Sequence, residues 1–368
     1  MMIRGGLAVW CFALAIAGGC AKIQHPPEAD VLNLYNWADY IGYDTIAEFE
    51  RRTHIKVVQD FYDSNEALEA KLLVGDAGYD LVNTTTAFYG RQIRAGVYRP
   101  LDFTQLPNWK NLDPEVLRLQ AQADPGNRFA VPYLHAMNGF VYSVDAVRAH
   151  LPAAPIHSLA MLFDPAVISK FANCGVSFLD SPEDILELAL LYLHLDPNSR
   201  KPEDLHAAER TILAVRPYIR EFDSIDYWQQ LASGDLCIAV AWSSDYSVAQ
   251  RRARETGSGA HLAFTVPQEG AAITYNAWLI PASAPHPQAA LRFLDYLLEP
   301  KVIAAITNDI HYGNDNLAAR RFVEESTLND PAIYPTPEIA KRLYLPAAVD
   351  PEFERLRTRT WTRIKTGE

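Results

Sequence analysis

Two short stretches of this chain place a tryptophan and a carboxylate a few residues apart at what reads as a strand end. One is Trp37-Ala38-Asp39-Tyr40, after the alternating run 31–35; the other is Trp242-Ser243-Ser244-Asp245, after the apolar run 236–240. Indole and phenol faces attract cations and cover methylenes, and a carboxylate holds an ammonium, so the chemistry on offer is capture of a cationic, partly apolar guest. A single loop of this kind is equally explained by packing on its own lobe. Two of them, on opposite lobes, would close on one guest from both sides.

Residues that would build a catalyst are missing from the pattern. There is no Walker loop, no Gly-x-Gly-x-x-Gly and no His-Glu-x-x-His. Gly257-Ser258-Gly259 lacks the strand-turn-helix setting of a nucleophile elbow and reads as a turn. His135 and His311 read as ordinary polar residues, and Glu183-Asp184 as carboxylates favoured at a helix start. Cys174 and Cys237 have no Cys or His at ligand spacing, so no metal site is expected, and no cofactor.

The elements that must carry the two clusters follow from periodicity. The run 31–37 alternates like a strand, and Gly42-Tyr43-Asp44-Thr45 followed by Ile46, Phe49 and Glu50 reads as a helix start, which puts Trp37, Asp39 and Tyr40 in a βα loop. Ligands of open α/β sheets collect beyond the carboxyl ends of strands, where this loop would lie. Helix 43–53, strand 55–61, helix 64–73, strand 80–84 and a helix near 86–95 continue the alternation, which implies a parallel sheet wrapped by helices. Two short strands, 129–133 and 139–143, are expected to carry the chain to a second lobe. That lobe would hold strand 175–179, helices 183–193, 202–214 and 225–232, and strand 236–242. Strands 262–266 and 277–281 are expected to return to the first lobe, followed by helices 286–298 and 300–307. The basic stretch 355–365 reads as a solvated surface.

The length of 368 residues, 49% hydrophobic and 21% charged, suits two globular lobes. A formal charge of −12, with no basic stripe suited to a phosphate backbone, argues against nucleic acid as a partner. The apolar run 7–17 is too short to span a membrane as a mature helix and ends in Ala17-Gly18-Gly19-Cys20, so residues 1–20 read as a secretory signal. Small residues before a cysteine resemble a bacterial lipoprotein cleavage box, which would make Cys20 a lipidated first residue; ordinary signal cleavage is the alternative. Export leaves Cys174 and Cys237 in the mature chain, either paired in an oxidising compartment or as two buried thiols.

The sequence as a whole resembles the periplasmic polyamine-binding proteins of ABC importers, closest to the putrescine-binding type. The resemblance is carried by YNWADYI at 35–41, DSNEALEAKL at 63–72, CGVSFLD at 174–180, GDLCIAVAW at 234–242 and RTRTWTRIKTG at 357–367. It implies an α/β, two-lobed type II periplasmic-binding fold with a hinge and an inter-lobe cleft, acting as a monomer that delivers a polyamine to an inner-membrane ABC permease. The lobes would comprise 29–135 plus about 264–312, and about 136–263 plus 313–368. By the same resemblance Trp37, Tyr40, Trp242 and Tyr312 match aromatic walls, Asp39 and Asp245 match acids with Asp245 the main amine anchor, Thr85 and Ser224 match hydroxyl positions, and Cys174–Cys237 matches a disulfide.

Three positions depart from that pattern. Ala38 replaces a small hydroxyl residue, and Asp184 stands where a longer Glu is usual. Thr274 replaces an aromatic and Asn276 a ligand-binding Asp, with no acid anywhere from 271 to 290 to compensate. The expectation is therefore an amine held by Asp245, whose other end is either weakly bound or neutral, as in an acylated polyamine. An amine-sensing role is the rival in the same fold; an amine-converting enzyme is the rival of another class, without a flavin, pyridoxal or metal signature.

Overall fold

The computed structural model describes residues 31–38, 40–62, 64–75 and 77–367; the signal-like segment with Cys20, and Asp39, lie outside these described residues. Alternation in the first run gives β1 (Val31–Trp37), with Leu32 and Leu34 fully buried on one face and Tyr35 packed on the other. The chain continues through α1 (Thr45–Thr53), β2 (Lys56–Tyr62), α2 (Asn65–Leu73), β3 (Leu81–Thr85), α3 (Thr86–Arg94) and α4 (Pro114–Gln120). β1 pairs in parallel with β2 and β3, as the βαβαβ rhythm predicts.

Next comes β4 (Ala130–Ser143), a strand of 14 residues where two short ones are expected. Pro132 looks like a breaker, but a register shift between Pro132 and Leu134 absorbs it, and a residue without an N–H is tolerated at such an irregularity. Gly139 does not end the strand either. It lets β4 approach its neighbour closely, for a Cβ there would run into the Thr265 carbonyl.

Helices α5 (Val144–His150), α6 (Ala160–Phe163) and α7 (Pro165–Ile168) lead to β5 (Val176–Phe178), α8 (Pro182–Tyr192), α9 (Pro202–Val215), β6 (Glu221–Phe222) and α10 (Tyr227–Ser233). Then follow β7 (Ile238–Trp242), α11 (Ser243–Thr256), β8 (Leu262–Thr265), β9 (Ala271–Leu279), α12 (Pro287–Leu297) and α13 (Pro300–Ile310). The chain closes with β10 (Gly313–Asn314), α14 (Glu325–Leu328), α15 (Pro337–Ala340), β11 (Leu343–Tyr344) and α16 (Pro351–Thr366).

The sheet order is β2-β1-β3-β9-β4-β7-β5-β6. The first half of β4 pairs with β9, and its second half pairs with β7 and β8. One strand therefore serves both lobes. The first lobe's core includes Leu34, Phe49, Trp278 and Phe293; the second lobe's includes Phe140, Phe163, Phe178 and Ile238. A small apolar cluster of Met137, Val266, Ile273 and Tyr275 lies between them, at the crossing.

Two expected crossings fall elsewhere. β8 pairs with residues 140–143 of β4 and so stays in the second lobe, and the return to the first is made by β9, which begins at Ala271 rather than near 277. After α13 the chain does not leave the first lobe at 313: β10 pairs with Leu134 and His135, and Tyr334 accepts the Asn314 amide at 3.0 Å. The passage comes at β11 beside β9, after which α16 packs Trp361 and Ile364 into the second core. Two-residue strands carry too little periodicity to be read in advance. Cys174 and Cys237 form a disulfide within the second lobe, Cα to Cα 5.7 Å.

Candidate functional site

The carboxyl ends of β1, β3 and β7 carry most of the residues singled out above. Trp37 ends β1, and its ring packs against Tyr62 of the neighbouring strand at 4.4 Å between centroids; Ala38 follows it, exposed. Tyr40 is buried and meets Tyr312 edge-on at 4.7 Å and Tyr133 at 5.8 Å. Its carbonyl accepts the Tyr133 hydroxyl at 3.0 Å, while its own hydroxyl is buried without a hydrogen-bond partner among the described residues. Burial first, then the neighbouring Tyr312 and Tyr133, hold the Tyr40 phenol well above its ordinary pKa, so it stays a neutral donor. Thr85, at the end of β3, sits opposite Asn276 of β9; Thr274, two residues earlier on the same face of β9, sits opposite Ala136.

The second lobe contributes a more tightly bonded group. Trp242 ends β7 opposite Asn138 of β4, and Asp245 lies in the first turn of α11. Asp245 accepts the Tyr227 hydroxyl at 2.5 Å and the Ser244 hydroxyl at 3.2 Å. Even so, loss of water around the carboxyl dominates and pushes its pKa up to about 6. Asp184 is held at 2.7 Å by Ser181, the N-cap of α8, and at 3.0 Å by the Asn138 amide, with Trp242 near enough to favour its charged form. Asp184 thus combines the helix-start role with a second one, a bond to Asn138 in the strand beside Trp242. Ser224 lies in the loop before α10, its hydroxyl buried and without a partner among the described residues.

Tyr227, which holds Asp245, lies within electrostatic reach of Tyr312 on the first lobe. Arg251 of α11 donates to the Asp309 carbonyl of α13 at 3.0 Å, a direct bond from lobe to lobe. Aromatic rings on one side and a carboxyl on the other suit an ammonium on an aliphatic chain. No cluster of three or more His, Cys, Asp or Glu able to hold a metal occurs among the described residues. His135 is engaged by Asp315 at 2.7 Å and by the Ile333 carbonyl at 3.2 Å, a polar residue with a packing role.

The family model for bacterial extracellular solute-binding protein matches residues 44–335. The chain belongs to that family. Among its relatives, the putrescine-binding periplasmic protein PotF of Escherichia coli K12 is 44% identical over 343 residues, 93% of each chain. SpuD of Pseudomonas aeruginosa UCBPP-PA14, also named a putrescine-binding periplasmic protein, is 42% identical over the full length of both. Two solved structures show the same fold. The spermidine/putrescine ABC transporter substrate-binding protein PotD of Streptococcus pneumoniae has a TM-score of 0.78 at 24% identity, covering 92% of this chain and 99% of its own. The TpPotD lipoprotein of Treponema pallidum has a TM-score of 0.79, also at 24% identity, covering 92% of this chain and all of its own. The binding, non-catalytic names of these relatives agree with the lack of catalytic motifs here.

This solute-binding protein also uses residues that its sequence pattern does not reveal. Tyr227 opens α10 with nothing local to mark it as the partner of Asp245, and Asn138 is hidden in the middle of β4. Behind Asp184, Glu187 is buried and accepts the Tyr344 hydroxyl at 2.6 Å. Burial and then the charge of Glu183, one turn earlier on α8, push Glu187 well up. Arg357 of α16, also buried, is set against these carboxylates, with Arg200 also in their field, and is bonded to Glu354 at 2.6 Å. The tail motif containing Arg357 therefore reaches inward, where only a solvated surface was expected of the basic stretch.

Proposed function

We propose that this protein captures a small aliphatic polyamine between its lobes and delivers it to an ABC permease. The reading is supported by an aromatic pair, Tyr40 against Tyr312, on one lobe and a buried carboxyl, Asp245, on the other, with Arg251 bonding lobe to lobe. In this reading Asp245 anchors one ammonium, Trp37, Tyr40, Trp242 and Tyr312 cover the methylenes, and Thr85, Ser224, Asp184 and Thr274 line the remaining cleft. The family resemblance adds Asp39 as a second acid for the ligand. The putrescine-binding names of PotF and SpuD supply the ligand class.

Asn276 favours a second reading of the far end of the ligand. It is largely buried opposite Thr85 and Leu134, and its neutral amide both donates and accepts. A terminal amide or hydroxyl would satisfy it as well as an ammonium. Calorimetric titration with putrescine, spermidine and N-acetylputrescine separates the readings. Putrescine binding well ahead of the acetylated form supports the plain diamine; the reverse order supports the modified one; no binding of any of them ends the amine reading. Asp245→Asn is expected to weaken the preferred amine by ~30-fold or more, since removing one member of a desolvated charge pair costs about 2 to 5 kcal/mol.

We place the protein in the periplasm, exported by residues 1–20 and anchored through Cys20 as a lipoprotein. The mass of the mature N-terminal peptide tests the anchor: a diacylglycerol-modified Cys20 is expected, and an unmodified start elsewhere overturns it.

A further inference from the structure

Asp309, near the end of α13, holds two parts of the molecule at once. Its carboxylate accepts the backbone N–H of Tyr43 at 3.0 Å, in the loop that descends from Trp37 and Tyr40. Gly42 makes this fit possible, because a Cβ there would lie 2.8 Å from the same carboxylate oxygen and 3.2 Å from the backbone of Ile306. The carbonyl of Asp309 belongs to the last turn of α13, where helix geometry leaves acceptors without an intrahelical donor. It is taken by the guanidinium of Arg251 at 3.0 Å.

Arg251 comes from the other lobe, six residues after Asp245 on the same helix. Its side chain is 32% exposed, with Glu255 one turn on at 4.0 Å from Nε. A cation at a helix C-terminus is favoured by the exposed carbonyls and by the helix dipole, so the contact stabilises the arrangement in which it forms. That arrangement has the lobes together. Tyr312, which forms the wall against Tyr40, leaves α13 three residues after Asp309. The carboxyl helix of one lobe, the aromatic turn of the other and the loop after β1 thus meet at a single residue.

We propose that Arg251 is a positioning residue of the capture site, a clasp to the Asp309 carbonyl that holds the lobes closed and sets how long the guest stays. Arg251 is not assigned a contact with the ligand. It acts through the closed population: a contact made only with the lobes together slows opening, and with it escape. The affinity consequence rests on the amine reading above; the closure consequence does not.

The test uses the full mature protein and its Arg251→Ala and Arg251→Lys variants, with putrescine as probe and a pair of spin labels, one on each lobe. Arg251→Ala is expected to release putrescine about tenfold faster, with the association rate close to that of wild type. Its inter-lobe distances should shift to longer values with and without putrescine. Arg251→Lys, which keeps the charge on a different head group, should fall between the two. A simple packing residue would lower the melting temperature and leave both the inter-lobe distances and the rate split alone. If wild type does not bind putrescine, the amine reading fails, and the distances in ligand-free wild type and Arg251→Ala still decide the clasp. Identical inter-lobe distances in the two proteins would overturn it.

Discussion

At Asp245 two influences oppose each other: the Tyr227 and Ser244 hydroxyls favour the carboxylate, and exclusion of water disfavours it more strongly, leaving a pKa of about 6. A carboxyl whose folded pKa is raised holds its proton longer in the fold than in the unfolded chain. Its contribution to stability is therefore greatest in acid and is lost as the pH rises through about 6. An ammonium placed beside it reverses the preference. Binding at pH 6 is expected to expel roughly half a proton per amine bound, and affinity should fall about tenfold per pH unit below that point. Titrations in buffers of differing ionisation enthalpy check both. At this scale the sequence is read well where chemistry is local: Trp37, Trp242 and Asp245 stand out because aromatic and acid follow a strand. Tyr227 and Asn138 do not, since their importance comes from side chains 18 and 46 residues away.

Among the elements, α8 gathers Glu183, Asp184 and Glu187 on its first turns, and α16 sets Arg357 among them. Glu66 of α2, on the other lobe, adds its charge to the field at Glu183. Burial lifts both Glu183 and Glu187, so each ionisation weakens the fold as pH rises through the shifted value. Glu187→Gln keeps an acceptor for Tyr344 and removes one of the crowded charges. Its melting temperature is expected to match or exceed wild type at pH 8, with a flatter profile between pH 5 and 8. Arg357→Ala is expected to lose stability at pH 8, about 3 kcal/mol or more, because carboxylates are left without their cation; denaturant titration measures both. Element positions in the first lobe are legible from alternation and helix starts, β1, α1 and β2 within one or two residues. β4 is not, because Pro132 and Gly139 read as interruptions in sequence, whereas in space one sits at a register shift and the other at a close strand approach.

The whole molecule is two lobes sharing one sheet path, and the disulfide spans 63 residues of one of them. Closing a loop of that size restricts the unfolded chain by about 4 kcal/mol in the chain-entropy view. Since Cys174 and Cys237 both lie in the second lobe, reduction is expected to lower the melting of that lobe and leave the first near its original value. Scanning calorimetry with and without reductant should show the two transitions move apart; a uniform shift of one transition would show that the lobes unfold as a unit. The two-lobed organisation is legible from length and from the repeated strand-helix pattern, while the route of the tail is not. Strands as short as β10 and β11 are decided by what they pair with.

The tail has a further consequence, for the order in which the molecule can be made. The first core includes residues of α12 and α13, and the second takes Trp361 and Ile364 from the final helix. A nascent chain thus lacks part of its first core until α13 has emerged, and part of its second until α16 has. A second lobe that waits for α16 stays threadable through most of its synthesis, which suits a family described as extracellular.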